Sequence, residues 1–548
     1  MSKEQGASFV KGAAILGAGA LLSKVLGLAY RIPYQNITGD LGYYVYTQVY
    51  PLYSALLILA TAGFPIAISK MVAEKLAIGD TLGARRVFRV SASLLGITGL
   101  VFFILLWVCA PLIAQLMHDR KLVLPIRSVS FALLLVPVMA AMRGYFQGHH
   151  NMIPTAVSQI IEQLVRVMTI IILAYYFMKT TGDVYLAGAG AVFGAVTGAF
   201  VSFTIMLIFL QRNKYIRQKL SNSQAVTRKG FYTYGQESTG QIVRQIMYYA
   251  IPICLGSLVL PLMQLADSFT VVNMLSYGGI VSKEAYRLKG ILDRGQPLVQ
   301  FGAFFATALS LSVVPAIAEA KIRGMNRLIA SRTELALRLT FLIGLPCSIG
   351  LAVVAGPVNV MLYQNGSGTD TLIVLAFTTI FSTLGITSSG ILQGMGHVVL
   401  PVRNLLIGAV LKILLNVLLV PSFGIMGAAL ATVCSYMVST MMNLYAISLY
   451  TGMKFGFKTF FFKPMVAVFM MGMAAFVARR MAERGLFEVI LSHRLYYSAV
   501  SLAAVTAGVV MYGIALFASG TVSRTDLENT PAGKKLIPFL TRLRLLHD

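Results

Sequence analysis

Apolar runs of about twenty residues recur along nearly the whole chain, and each is long enough to cross a hydrocarbon core. Inside lipid every backbone polar group must be satisfied internally, which leaves only helices or a closed barrel. Runs of this length without strict alternation predict helices. The fold class expected is therefore an all-α polytopic membrane protein with about fourteen transmembrane helices. Only 12% of the residues are charged, against about 25% in a soluble domain, so the solvating charge of a soluble fold is missing.

The net charge of +26 is unusual. In a soluble chain it would suggest nucleic acid. Here most Lys and Arg fall in connectors on the side shared by the two termini, so they predict cytoplasmic termini facing anionic lipid, with no nucleic-acid partner. Cys109, Cys254, Cys347 and Cys434 all lie in apolar stretches. They read as small core residues, neither a disulfide framework nor a metal site. The apolar run after Lys11 continues to Tyr30 without a cleavage context and is expected to be a retained first helix.

An internal repeat organises the chain. Arg143-Gly144-Tyr145-Phe146-Gln147-Gly148 with Pro154 matches Ser389-Gly390-Ile391-Leu392-Gln393-Gly394 with Pro401. Pro65-Ile66-Ala67-Ile68 matches Pro315-Ala316-Ile317-Ala318, and Pro111 matches Pro357. The offset stays at about 246 to 250 residues. Six spans precede the polar break Gln211 to Arg244 and six follow, which predicts parallel repeats around a central cavity. The expected division is residues 1–211 as a first six-helix lobe, 212–240 as a basic cytoplasmic linker and 241–450 as a second lobe. Residues 451–519 form two extra transmembrane helices, and 520–548 a basic cytoplasmic tail. Lys70 to Arg89 and Glu319 to Arg338 read as amphipathic surface segments at matching places in each half.

A charge inside a span costs several kcal/mol, on the order of 3, unless it faces protein or water. Lys24 and Arg31 lie on the first helix, Arg127 and Arg294 beside the fourth and eighth spans, and Lys412 in the eleventh. Glu162 and Arg166 are four apart on one helix face and predict a local ion pair. Asp267 and Lys412 have no partner within one turn. Cations outnumber carboxylates, so a cavity lined by Lys24, Arg31, Arg127, Arg294 and Lys412 would favour a phosphate or diphosphate. No serine elbow, phosphate loop or paired metal spacing occurs, so the chain is expected not to be an enzyme.

The stretch Ser23-Lys24-Val25-Leu26-Gly27 followed by Tyr30-Arg31, and the longer run to Tyr53 through Arg-Ile-Pro-Tyr-Gln-Asn and Tyr-Pro-Leu-Tyr, resembles the MurJ/SpoVB-like lipid-linked polysaccharide flippase family. That family lies in the multidrug/oligosaccharidyl-lipid/polysaccharide exporter superfamily. The resemblance covers essentially the whole chain. It implies an alternating-access flippase in the cytoplasmic membrane that moves an undecaprenyl-diphosphate-linked saccharide to the outer leaflet. The partners implied are that lipid-linked saccharide and membrane lipids, with a monomeric protein and a lipid-tail groove formed by the last two helices. Lys24 corresponds to a cavity arginine of the family, and Asp293-Arg294 to a second cationic position. The chain departs from the family at Tyr30 and at Leu52-Tyr53-Ser54, where arginines are expected, and at Lys412, where the sodium site wants an acid. No cofactor is implied, and the coupling ion, Na+ or H+, stays open. The alternatives are a cation-coupled multidrug exporter of the same superfamily and a membrane-embedded glycan polymerase or transferase.

Overall fold

A computed structural model of the chain describes residues 22–23, 25–212, 237–453, 462–486 and 492–520. Lys24, most of the basic linker and nearly all of the basic tail lie outside these residues. Among the described residues the secondary structure is helical, with no strand. Eleven helices are long and apolar enough to cross a membrane, or twelve when one bent pair is counted as a span. The chain packs as two compact units, residues 1–273 and 274–548. The dividing point falls beyond the 212–240 linker, so residues 239–273 pack with the first unit.

The first unit opens with α1 (Arg31–Thr61), which reverses on itself at Gly39 (φ 70°, ψ −176°). Glycine reaches that backbone region freely, and a side chain does not. In a straight helix Tyr30 and Tyr46 would stand about 24 Å apart; their ring centroids are 5.9 Å apart. The two arms are therefore antiparallel. After a short break α2 (Phe64–Ala77) begins with Pro65 in its first turn, where the missing N–H costs nothing. α3 (Thr81–Leu116) is capped by Asp80, whose carboxylate accepts from the Gly83 N–H at 2.7 Å.

α4 (Val123–Ser130) leads into α5 (Ala132–Gly148), which packs on α2 through two glycines. A Cβ at Gly144 would lie 2.9 Å from the Ile68 Cβ and one at Gly148 2.7 Å from the Val72 Cβ. These are the two pieces of the repeat motif, and they touch because Gly-x-x-x-Gly lets helix backbones approach. α6 (Ile153–Thr180) and α7 (Val184–Arg212) pair in the same way, since a Cβ at Gly198 would stand 2.7 Å from the Glu162 carbonyl. α8 (Thr239–Ser257) starts at a Ser238/Gln241 capping box and packs Ala250 against Gly63. α9 (Val259–Tyr277) follows at a bend of 51°.

In the second unit α10 (Ser282–Arg294), α11 (Gln296–Ile322), α12 (Asn326–Tyr363), α13 (Thr369–Ala376) and α14 (Thr378–Gly394) lead to α15 (Val399–Thr451). α15 reverses at Gly424 (φ 58°, ψ −142°), and Asn404 Nδ2 donates to Asn443 Oδ1 across the reversal at 2.9 Å. Gly394 presses on α11 as Gly148 does on α2, its Cβ position 2.9 Å from the Val314 carbonyl. α16 (Lys463–Gly485) and α17 (His493–Ala518) lie against α12. Arg479 donates to the Val353 carbonyl at 3.0 Å, and the Tyr512 hydroxyl to the Leu342 carbonyl at 2.5 Å.

The segments expected as amphipathic surface pieces are instead helix ends joined by tight turns. α2 passes through Gly79 (φ 78°) into α3, and α11 passes through Gly324 (φ 68°) into α12. Their charges mark where the helices leave the apolar layer, which hydropathy alone reads as a surface helix. Left-handed residues recur in pairs: Gly39 and Gly279, Gly79 and Gly324, His118 and Gln364, His150 and Gly396, Gly182 and Gly424. Each pair is separated by 240 to 246 residues, close to the 246 to 250 of the sequence motifs.

Candidate cationic site

Tyr43, Tyr46, Tyr50 and Tyr53 recur at helical spacing on the second arm of α1, so they share one face. The reversal at Gly39 brings Tyr30 and Tyr34 of the first arm against them. The Tyr30 and Tyr46 hydroxyls are hydrogen-bonded, Tyr34 and Tyr46 stand 5.4 Å apart, and Tyr46 stacks on Tyr50 at 5.5 Å. Tyr34, Tyr43, Tyr46 and Tyr53 are essentially unexposed. Tyr30, Tyr43, Tyr46 and Tyr50 all lie within electrostatic range of the Arg31 guanidinium. Its Nε is buried with no hydrogen-bond partner among the described residues.

On the facing helix Glu162 bridges two guanidiniums. Arg166 donates to one carboxylate oxygen at 2.6 Å, and Arg143 donates to the other at 2.8 Å. All three side chains are 11 to 13% exposed. Arg143 also donates to the Ser158 and Ser202 hydroxyls, both at 3.1 Å, which locks it between α6 and α7. Tyr46, Tyr50 and Tyr53 lie within electrostatic range of Arg166, so two ladder tyrosines act on both Arg166 and Arg31. The Arg166 Nε and the Tyr53 hydroxyl are buried without a hydrogen-bond partner among the described residues. Three guanidiniums against one carboxylate leave a partly buried excess of positive charge, and shielding an uncompensated charge from water is costly.

The first helix runs beside this site. Ser23 Oγ donates to the Gln159 carbonyl at 3.5 Å, and Gly27 passes close to the Gln163 amide. Arg127 lies apart from the cluster, its guanidinium 5.2 Å from the Trp107 ring centroid and its Nε donating to the Trp107 carbonyl at 3.4 Å. That is the arrangement of an interfacial anchor. Asp267 is buried next to Ser268, whose carbonyl accepts from Gln48 Nε2 at 2.5 Å.

In the second unit Arg294 is 2% exposed. Its guanidinium donates to the Ser367 carbonyl and lies 5.1 Å from the Tyr363 ring centroid, while the Tyr363 hydroxyl donates to the Arg294 carbonyl at 2.7 Å. One turn earlier Lys289 pairs with Asp293 at 2.6 Å, so Asp293 neutralises a lysine. Lys412 is fully buried on the first arm of α15. The position matching Arg143 is Ser389, which with Ser388 accepts from Asn443 Nδ2 at 3.2 and 3.3 Å. The second unit thus has a neutral amide-hydroxyl network where the first has an ionic one.

Of the residues named from sequence, the structure brings Arg31 and Arg166 to one aromatic cluster and confirms the Glu162–Arg166 pair. It adds Arg143, the ladder tyrosines and Lys289, which the sequence reading did not select. The tyrosine spacing of three and four was a readable signal. Arg143 carried none, because its distance to Glu162 depends on how α5 packs on α6 and α7. Among the described residues no group of three or more His, Cys, Asp or Glu is placed to hold a metal.

A family model described as "Polysaccharide biosynthesis protein" matches residues 9–321. The uncharacterized membrane protein YabM of Bacillus subtilis is 36% identical over 438 residues, covering 80% of this chain and 79% of that protein. The lipid II flippase MurJ of Bacillus subtilis is 29% identical over 81% of this chain and 83% of its own. Among solved structures, lipid II flippase MurJ in an inward closed conformation superposes with a TM-score of 0.64 at 14% identity, covering 92% of this chain and 99% of that one. An inward-facing multidrug resistance MATE family transporter superposes with a TM-score of 0.63 at 15% identity, covering 78% and 94%. At those identities the two structures speak for the shared helical fold. Together with the apolar helices and the match over residues 9–321, these comparisons establish that the chain is a multi-pass membrane protein belonging to the polysaccharide biosynthesis protein family.

Proposed function

We propose that this protein is a flippase that moves an undecaprenyl-diphosphate-linked saccharide, lipid II or a related polysaccharide unit, across the cytoplasmic membrane by alternating access. The observation that carries the reading is the pair of partly buried guanidiniums, Arg31 and Arg166, whose Nε atoms are shielded from solvent. Both flank one tyrosine cluster, and each has an Nε without a hydrogen-bond partner. A buried cationic donor without an acceptor costs on the order of 1 to 3 kcal/mol, which an anionic ligand would recover. Lys24 and Arg31 then meet the diphosphate from the first helix, with Arg166 opposite. The phenols offer hydroxyls and ring faces to a sugar. Lys412, 246 residues after Arg166, is the matching cation of the second unit, Arg294 adds a further cation there, and Arg127 anchors at the interface. The relatedness to MurJ supports transport over an enzymatic role, and three guanidiniums around the single Glu162 carboxylate disfavour cationic drugs.

In this reading the chain has fourteen spans in two six-helix repeats plus two C-terminal helices. The reversals at Gly39 and Gly424 support it, because a straight helix of 53 residues would be about 80 Å long against a core of about 30 Å. Both termini are cytoplasmic, the protein acts as a monomer, and it needs no resident cofactor. A coupling Na+ or H+ supplies any uphill drive. The tyrosine ladder then runs about 15 Å, from the outer end at Gly39 to mid-membrane.

The test is complementation of a depletion strain, with identification of the lipid-linked intermediate that accumulates on the cytoplasmic face. Arg31→Ala and Arg166→Ala should insert at normal abundance and fail to clear it. Full complementation by both variants at wild-type abundance would reject the cationic site.

A further inference from the structure

Glu162 is fully engaged, with one oxygen on Arg166 and the other on Arg143. Arg166 is not, since among the described residues neither its Nε nor the Tyr53 hydroxyl, which lies within electrostatic range of it, has a hydrogen-bond partner. The backbone under the pair is set by close packing, with Gly198 against the Glu162 carbonyl and Gly194 against the Arg166 carbonyl. The carboxylate has little freedom except through its own torsions. Arg143 is held independently by Ser158 and Ser202, so it does not depend on Glu162 for its position.

We propose that Glu162 is a built-in competitor for the substrate's phosphate: it occupies Arg166 in the ligand-free protein and reclaims it when the ligand leaves. This rests on the anion-binding reading above and names how that site is regulated. A carboxylate and a phosphate monoester or diphosphate present similar oxygens to a guanidinium, and both bind it bidentately. A transporter must release what it binds, and a tethered anion lowers the net gain on binding without removing the recognition geometry. When the phosphate engages Arg166 and the Tyr53 hydroxyl, Glu162 keeps Arg143 and stays neutralised. The seryl hydroxyls then hold the displaced pair in place.

The test uses the purified full chain in lipid nanodiscs, with inorganic diphosphate as the probe and calorimetric binding as the readout. Glu162→Gln should bind diphosphate about tenfold or more tightly than the unaltered protein. Loss of Glu162 also changes net charge and could impair folding, so a second variant matches the charge. Glu162→Gln/Arg143→Gln removes one charge of each sign and should still bind several-fold more tightly, because Arg166 has lost its competitor. Adding Arg166→Gln to either background should abolish the gain. Equal or weaker binding in the charge-matched variant overturns competition while leaving the anion site standing. Absence of binding in every variant overturns both.

Discussion

Tyr30 and Tyr46, sixteen residues apart in the chain, meet edge to face with their hydroxyls hydrogen-bonded, because α1 folds back on itself at Gly39. The contact brings Arg31, with Tyr30 and Tyr34 of its own arm, against Tyr43, Tyr46 and Tyr50 of the opposite arm. Without the reversal Arg31 would lie beyond reach of Tyr43, Tyr46 and Tyr50.

Gly39→Val should therefore be destabilising. The backbone there is in a region that costs a β-branched residue about 1 to 3 kcal/mol, though nothing lies within 4 Å of the Cβ position. Thermal unfolding in detergent should show a lowered midpoint, and Gly424→Val should behave alike. A Gly39→Val protein as stable as the parent would mean that the reversal is not there.

Arg143→Ala should destabilise the first unit by about 1 to 3 kcal/mol, the cost of losing a charge-assisted hydrogen bond to Glu162, which keeps Arg166. Arg143→Lys should recover part of this, since a lysine can reach Glu162 but cannot also serve Ser158 and Ser202. Membrane abundance and unfolding midpoints for both variants decide the matter. An alanine variant with normal stability would show that Glu162 needs only Arg166.

Asp119, between α3 and α4, accepts from the Tyr185 hydroxyl at 2.8 Å and the Lys121 N–H at 3.0 Å. Burial pushes its carboxyl up from the ordinary value, against those bonds, the nearby Tyr44 and the Lys121 charge, which pull it down. A folded value above the unfolded one means that the stabilisation is present at low pH and is lost as pH rises through the folded value. The unfolding midpoint of the parent relative to Asp119→Asn should rise as pH is lowered through the carboxylate range. A difference independent of pH would show that Asp119 is not titrating there.

Topology is checked with single cysteines in a background lacking Cys109, Cys254, Cys347 and Cys434. Val281 and Ile322 are strongly exposed at opposite ends of the α10–α11 stretch. Val281→Cys should react with an impermeant reagent in intact cells, and Ile322→Cys only after permeabilisation. The reverse pattern would place the termini outside.

Removal of the chain after Thr451 should leave an inserted core that no longer transports. α16 and α17 add contacts to α12 at Val353, Leu342 and Met361, and their loss exposes the apolar patch around Val354 and Val358. Complementation by the truncated chain at normal abundance would show that the two helices are dispensable.

The sequence by itself determined the helical membrane class, because an apolar run of twenty residues has no other way to satisfy its backbone. It also made a recurring motif legible, since Gly144 and Gly148 with Pro65, and Gly390 and Gly394 with Pro315, are local patterns whose spacing can be counted. The Glu162–Arg166 pair was legible too, four residues apart on one helix. Tertiary structure alone decided what surrounds them. Arg143 reaches Glu162 over nineteen residues of chain, and Arg31 joins tyrosines from the far side of a reversal. Asp293, legible as a charge at the mouth, turned out to be spent on Lys289. Spacing along one helix predicts neighbours because 3.6 residues make a turn, whereas contacts between helices depend on packing that glycines permit and sequence order does not encode.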